Sequence, residues 1–167
     1  VGRNNKLIPS GPLREKLDSL KKYDAVLIKG KSRKHKFYVN QIKKYNKDIK
    51  VFFSEIIPIN IKKFSIKKKY LVFSGIGNPQ GFKETLIKNK INIQKYIIFP
   101  DHYQYTEKDM EYIKSQAKKL NLKIITTEKD YVKISKSNQK NISYLEVGLK
   151  FLNEKKLINF IKSKLDE

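Results

Sequence analysis

The sequence has no cysteine and one methionine, Met110. Without cysteine there is no disulfide and no thiolate metal site, which also fits a reducing compartment. Arginine is nearly missing: Arg3, Arg14 and Arg33 stand against 35 lysines. Acid is scarce too, with 16 Asp and Glu against 38 Lys and Arg, a formal net charge of +22. No apolar run approaches the ~18 residues of a membrane span, and no signal-peptide pattern opens the chain. Apolar residues make up 39% of the 167 and are interleaved with charge throughout, which argues against a disordered basic tail. That length holds one domain or two small ones and can bury a sizeable core.

The charge is not by itself a nucleic-acid footprint. Lysine is accompanied by 22 Ile and 13 Asn, the residues of A/T-rich codons. A surface selected to grip phosphate or read bases uses the planar fork of arginine. No specific nucleic-acid partner is therefore expected. A chain this basic is nonetheless drawn to anionic membranes and polyanions. It opens on Val1-Gly2, far from Met110, so a removed initiator or a product cut from something longer is expected.

Helix and strand patterns alternate. Ser10-Gly11-Pro12 reads as the start of a helix with Leu13, Leu17 and Leu20 on one face. Residues 25–28 and 50–57 read as strands, with a polar loop over 31–36 and a short helix around Val39 and Ile42 between them. Residues 60–69 show no period and read as a linker. Strands are then predicted over 70–74, 96–99, 122–126 and 142–147. Asn78-Pro79 caps one intervening helix. Thr106 and Asp109 form a capping box for the next, and Thr127 and Asp130 repeat that spacing. Asn153 caps a closing helix with Leu157, Phe160, Ile161 and Leu165 inward. Such alternation predicts an α/β fold with a mainly parallel sheet and flanking helices. In such sheets, ligand sites lie where strands end and helices begin.

Four polar segments sit at such places. In the first, residues 7–15, Arg14 and Glu15 fall off the leucine face. A first-turn Glu suits the helix dipole and an Arg does not, which marks Arg14 for another role. In the second, residues 74–80, Gly75 and Gly77 make a turn able to cradle an anion on backbone N–H groups. Gln80 stands where a dinucleotide fingerprint needs glycine, and no Gly-Lys-Ser/Thr follows, so neither nucleotide motif is present. The third, residues 99–105, sets Asp101 beside His102, one of two histidines. That pair suits acid–base or phosphate-facing chemistry, or is a solvated turn. His35, among lysines, reads as solvated surface. The fourth is Thr126-Thr127-Glu128-Lys129-Asp130, a capped helix start or a polar ligand contact. The sequence contains no Walker A loop, Gly-x-Ser-x-Gly elbow, paired-histidine metal motif or RNP-like strand.

Taken in order, L-I-P-S-G-P-L-R-E, F-S-G-I-G-N-P-Q-G-F, F-P-D-H-Y-Q-Y and T-T-E-K-D-Y-V-K resemble the C-terminal half of the tetraacyldisaccharide 4'-kinases, the lipid A 4'-kinases. The resemblance implies a P-loop NTPase-related fold. Residues 1–61 would be the end of the P-loop kinase domain, 62–69 a linker and 70–167 a smaller α/β domain. It implies transfer of the γ-phosphate of ATP, with Mg²⁺, to the 4'-hydroxyl of a lipid A disaccharide precursor. The work would be done at the cytoplasmic face of the inner membrane, with lysines such as Lys62, Lys63 and Lys67 to Lys69 against the anionic leaflet. His102 matches the family's catalytic histidine, with Asp101 in the same motif. Arg14 and Glu15 match a motif lining the nucleotide cleft, and Thr127, Glu128, Lys129 and Asp130 one near the interdomain site. No residue here matches a metal ligand. The family's Walker A loop is not in this sequence, so the chain is expected to be inactive without a P-loop half that binds ATP. Two other readings stay open: a Lys-rich polyanion- or membrane-binding module without catalysis, and a degenerate paralogue that kept only the fold.

Overall fold

A computed structural model describes residues 6–11, 13–30 and 35–166. Pro12, Arg3, Arg33 and the core of the polar loop read at 31–36 lie outside the described residues, as does the side chain of His35. The chain divides into two compact units. The first comprises residues 1–57 and 149–167, the second Pro58–Gly148. The boundaries therefore do not fall at the expected 62–69 linker. Phe64, inside that stretch, is buried and packs edge-on against Tyr70 at 6.3 Å, which anchors the segment to the second unit.

In the first unit, β1 (Ala25–Lys29) pairs in parallel with β2 (Lys50–Pro58), and β7 (Val147–Phe151) flanks β2 in the order β1-β2-β7. Helix α1 (His35–Lys43) connects β1 to β2. Asn46 holds the turn that follows: its amide donates to the carbonyls of Leu20 and Tyr23, and its side-chain oxygen accepts from the N–H groups of Asp48 and Ile49. Among the described residues, no helix carries Leu13 of the expected segment. Leu13 instead donates to the Lys6 carbonyl and accepts from the Ile8 N–H, so its peptide cannot start a helix, and a 3-10 turn begins only at Leu17 (Leu17–Lys22). The closing helix α5 (Glu154–Leu165) sets Phe160 5.5 Å from Phe52. Leu157 and Phe160 are half-buried, whereas Ile161 and Leu165, expected inward, are exposed.

The second unit carries the larger core. Its sheet runs β4-β3-β5-β6 and the strand pairs are parallel: β3 (Lys69–Ser74) pairs with β4 (Asn92–Ile98) and β5 (Lys123–Thr127), and β5 with β6 (Ile142–Leu145). Side chains alternate along β3. Leu71 and Phe73 join Met110, Ile113 and Ala117 of α3 (Glu107–Lys119), while Tyr70 and Val72 join Phe82 and Leu86 of α2 (Pro79–Lys88). Period-two alternation thus makes one strand the middle of a three-layer sandwich. The strand expected over 142–147 is broken at Glu146. Its N–H donates to Asn60 Oδ1 and its carbonyl accepts from the Ile59 N–H, which takes its backbone out of the ladder with β5.

The capping box of α3 is complete. Asp109 N–H donates to Thr106 Oγ1 at 3.2 Å, and Thr106 N–H donates back to Asp109 Oδ2 at 2.8 Å. The Thr106 side-chain bond, then the backbone one, holds the Asp109 carboxyl below its ordinary value. A carboxyl depressed in the folded state adds stability above its unfolded value of 3.8, and that stability is lost as pH falls through the lower folded value. Thr106→Ala is expected to lower stability by about 1 kcal/mol at neutral pH. The difference from wild type should shrink below roughly pH 4, as read by urea melts across pH.

Candidate functional site

Parallel pairing puts the carboxyl ends of β3, β4 and β5 on one edge of the sheet. The strand order reverses between β3 and β5, since the chain goes from β3 outward to β4 and then back across to β5. That reversal is where doubly wound sheets open a crevice. Three of the four polar segments meet there: Ser74–Gln80 after β3, Phe99–Tyr105 after β4 and Thr126–Asp130 at the end of β5.

The centre of the meeting is Asp130, at the start of α4 (Glu128–Tyr131) and with none of its surface exposed. Its Oδ2 accepts from the Gly75 N–H at 3.0 Å and from Thr127 Oγ1 at 2.7 Å, and its Oδ1 lies 3.2 Å from Lys133 Nζ. The glycine turn therefore does cradle an anion, but an internal one. Thr127 is buried with Asp130, Thr126 donates its hydroxyl to the Phe73 carbonyl, and Glu128 and Lys129 are exposed beside them.

Above this floor stands the Asp101-His102 tip. The His102 imidazole is 92% exposed, and its Nε2 lies 3.9 Å from Asp101 Oδ2. The His102 N–H donates to the Gly75 carbonyl at 3.2 Å and to Asp101 Oδ1 at 3.0 Å. His102 has φ 60°, the left-handed region, which costs a residue with a Cβ of order 1–2 kcal/mol and collects at functional sites. Aromatic rings brace the loop: Phe99 and Tyr103 stack at 4.7 Å, and Tyr105 meets Phe73, Phe99 and Tyr103 edge-on. The Tyr103 hydroxyl donates to Asp109 Oδ2. The Tyr105 hydroxyl is buried with no hydrogen-bond partner among the described residues. Burial first, then the charge of Asp130, drives it far above the ordinary tyrosine range. Burial likewise raises Tyr96, whose hydroxyl is 2.6 Å from Ser74 Oγ.

The sequence-predicted residues Asp101, His102, Thr127, Glu128, Lys129 and Asp130 thus share the strand-end edge of the second unit. Arg14 and Glu15 belong to the first unit and are exposed, with Glu15 accepting from the Tyr23 hydroxyl at 3.1 Å. They precede the 3-10 turn and do not occupy a first helical turn, so the dipole argument does not apply to Arg14. Sequence reasoning missed the Asp130–Gly75 bond and the roles of Tyr96 and Tyr105. The capping spacing located Asp130, but nothing local pointed to a donor 55 residues away. Among the described residues no three His, Asp or Glu side chains gather to hold a metal ion.

A Cβ at Gly75 would lie 3.1 Å from the Pro100 carbonyl oxygen, Tyr103 Cβ and the Tyr105 hydroxyl. Two of these neighbours are fixed by backbone, so Gly75→Ala is expected to cost about 1–3 kcal/mol in chemical denaturation. An unchanged midpoint would show that the loops after β3 and β4 are not packed against each other.

The tetraacyldisaccharide-1-P 4'-kinase family profile matches residues 2–166. A tetraacyldisaccharide 4'-kinase of Pelagibacter ubique is 43% identical over 156 residues, covering 93% of this chain and 50% of the relative. One from Rickettsia akari is 41% identical over 157 residues, covering 93% and 46%. The chain therefore spans about half the length of these curated relatives. A crystal structure of LpxK from Aquifex aeolicus in complex with ATP superposes with a TM-score of 0.62 at 22% identity, over 96% of this chain and 48% of that one, a likeness of fold. By a match that runs nearly from end to end, the chain belongs to the tetraacyldisaccharide-1-P 4'-kinase family.

Proposed function

We propose that the chain is the C-terminal half of a kinase that transfers the γ-phosphoryl group of ATP to the 4'-hydroxyl of a tetraacyldisaccharide 1-phosphate, a step of lipid A synthesis. The observation that carries this reading is the family match over residues 2–166, supported by the exposed Asp101-His102 tip at the strand-order reversal.

In the proposed reaction the acceptor oxygen attacks the γ-phosphorus, the bond to the ADP oxygen breaks, and the hydroxyl proton passes to His102 Nε2. Asp101, whose Oδ2 lies 3.9 Å from that nitrogen, steadies the imidazole. Phosphoryl transfer also needs the phosphates cradled and Mg²⁺ held. The residues here do not fit those tasks: the Gly75 N–H is taken by Asp130, and no metal-ligating cluster exists among the described residues. Nucleotide and metal binding are therefore assigned to a Walker A loop that these 167 residues do not contain, and the chain alone is proposed to be inactive. Arg14 and Glu15 of the first unit, and Glu128 and Lys129 of the second, are exposed, and each pair is proposed to contact nucleotide or acceptor.

The 167-residue chain should show no transfer by itself. Joined to the N-terminal half of the Pelagibacter ubique relative, it should phosphorylate the lipid disaccharide, and His102→Ala should lower kcat about 10²- to 10⁴-fold. Full activity of the His102→Ala hybrid would remove His102 from the chemistry.

Membrane association is part of the same proposal. No described helix is long and apolar enough to cross a membrane. Exposed Ile59 and Ile66 stand among exposed Lys62, Lys63, Lys67, Lys68 and Lys69, a pattern suited to an anionic bilayer surface. Binding to vesicles containing anionic lipid should weaken as ionic strength rises, and should drop when these lysines become glutamine. Equal binding to neutral and anionic vesicles would refute it.

A further inference from the structure

The sequence builds the same capping pattern twice, and the two copies behave differently. At α3 the third-position carboxylate does what a capping box requires: Asp109 Oδ2 accepts from the N–H of its own cap, Thr106. At α4 the Thr127 hydroxyl again accepts from the Asp130 N–H, at 3.1 Å. The Asp130 carboxylate, however, reaches away from its helix to the Gly75 N–H at 3.0 Å. The cap of a four-residue helix gains little from a fully buried charge. A buried ion pair such as Asp130 with Lys133 seldom stabilises a fold more than apolar packing would, although breaking one is costly.

The Gly75 peptide, in turn, is what His102 rests on. The imidazole projects into solvent, so its placement depends on its backbone, which is left-handed and hydrogen-bonded to the Gly75 carbonyl. One residue thus joins the two ends: the Gly75 N–H, in its peptide with Ser74, goes to Asp130, and the Gly75 carbonyl, in its peptide with Ile76, receives His102. A Cβ at Gly75 would meet Pro100, Tyr103 and Tyr105, so the histidine loop packs closely against that residue.

We propose that Asp130 is a positioning residue for His102, fixing the histidine's backbone through Gly75. The proposal rests on the kinase reading, in which His102 receives the acceptor proton. A displacement near 1 Å of a reacting group can cost about a hundredfold in rate, so the effect should fall on kcat.

The test compares Asp130→Asn, Thr127→Val and, as a control, Asn138→Ala in the active hybrid and in the 167-residue chain. Asn138 is bonded to Glu107, Lys114 and Ser135 and has no bond to the three loops, so its variant should lower stability alone. Asp130→Asn is expected to lower kcat about 10- to 100-fold with KM for ATP unchanged. In the chain, amide exchange should quicken at Gly75 and His102 while β3 and β5 keep their protection. Wild-type kcat, or unchanged exchange at His102, would overturn the proposal. So would a loss of activity that merely follows stability as it does for Asn138→Ala. If Asp130→Asn does not fold, Thr127→Val, which removes one donor from the same carboxylate oxygen, is judged by the same two readouts. Should His102→Ala leave the hybrid active, the kinase role of His102 fails, and the exchange measurement still decides whether Asp130 holds its backbone.

Discussion

A carboxylate taken wholly out of water must find partners inside the protein, and Asp130 finds two on its own segment, Thr127 and Lys133, and one across the sheet edge, the Gly75 turn. Desolvating such a group costs several kcal/mol, an expense the hydrogen bonds and the lysine roughly offset. Little net stability follows. What does follow is geometry, because the Gly75 N–H meets this carboxylate only when the turn after β3 lies against the end of β5. The end of β5 is thereby drawn against the turn after β3, and the turn after β3 supports the tip after β4. The strand-end edge of the second unit takes its shape from that one buried charge.

Topology makes the arrangement possible. With β3 central and the strands parallel, segments at 74–80, 99–105 and 126–130 emerge side by side although dozens of residues separate them. An antiparallel meander would have sent alternate ones to opposite edges. The two Thr-x-x-Asp boxes then hold the histidine loop from different sides. Asp109 takes the Tyr103 hydroxyl, and Asp130 secures the peptide under His102. The loop is left-handed at its tip and aromatic at its base. Such a tip persists only when its surroundings over-determine it.

What could be read beforehand was whatever is decided within a few residues. The buried runs of β3 and β5, the Asn78 cap with its bond from Gly81, and both Thr-x-x-Asp starts have local causes and appear where their residues dictate. The misreadings share a different cause, a competing partner farther along the chain. Leu13 was a plausible helical leucine until its peptide paired with Lys6 and Ile8. Phe64 sat in a stretch without period, yet is anchored by the core around Tyr70. Glu146 continued an apolar run but lost its ladder to Asn60, 86 residues earlier. At the site, His102 and Asp101 stood out by residue type, whereas the support beneath them required a contact across 55 residues that no local pattern encodes.

The glycine turn illustrates how far a motif carries. Two glycines between a strand and a helix give N–H groups that an anion can use, and here one of them is already bound by an anion that the chain supplies itself. A phosphate arriving at Gly75 would have to displace a buried carboxylate held also by Thr127 and Lys133. At Gly77 any group placed on the Cβ side would meet Asp101 Oδ2 at 2.8 Å, so negative charge borders the turn on that side as well. The turn is therefore a poor cradle for a second anion, while the Asp101-His102 tip beside it stays open to solvent. On the proposed reading, that asymmetry suits a part of a kinase that faces the acceptor and leaves the triphosphate to be held elsewhere.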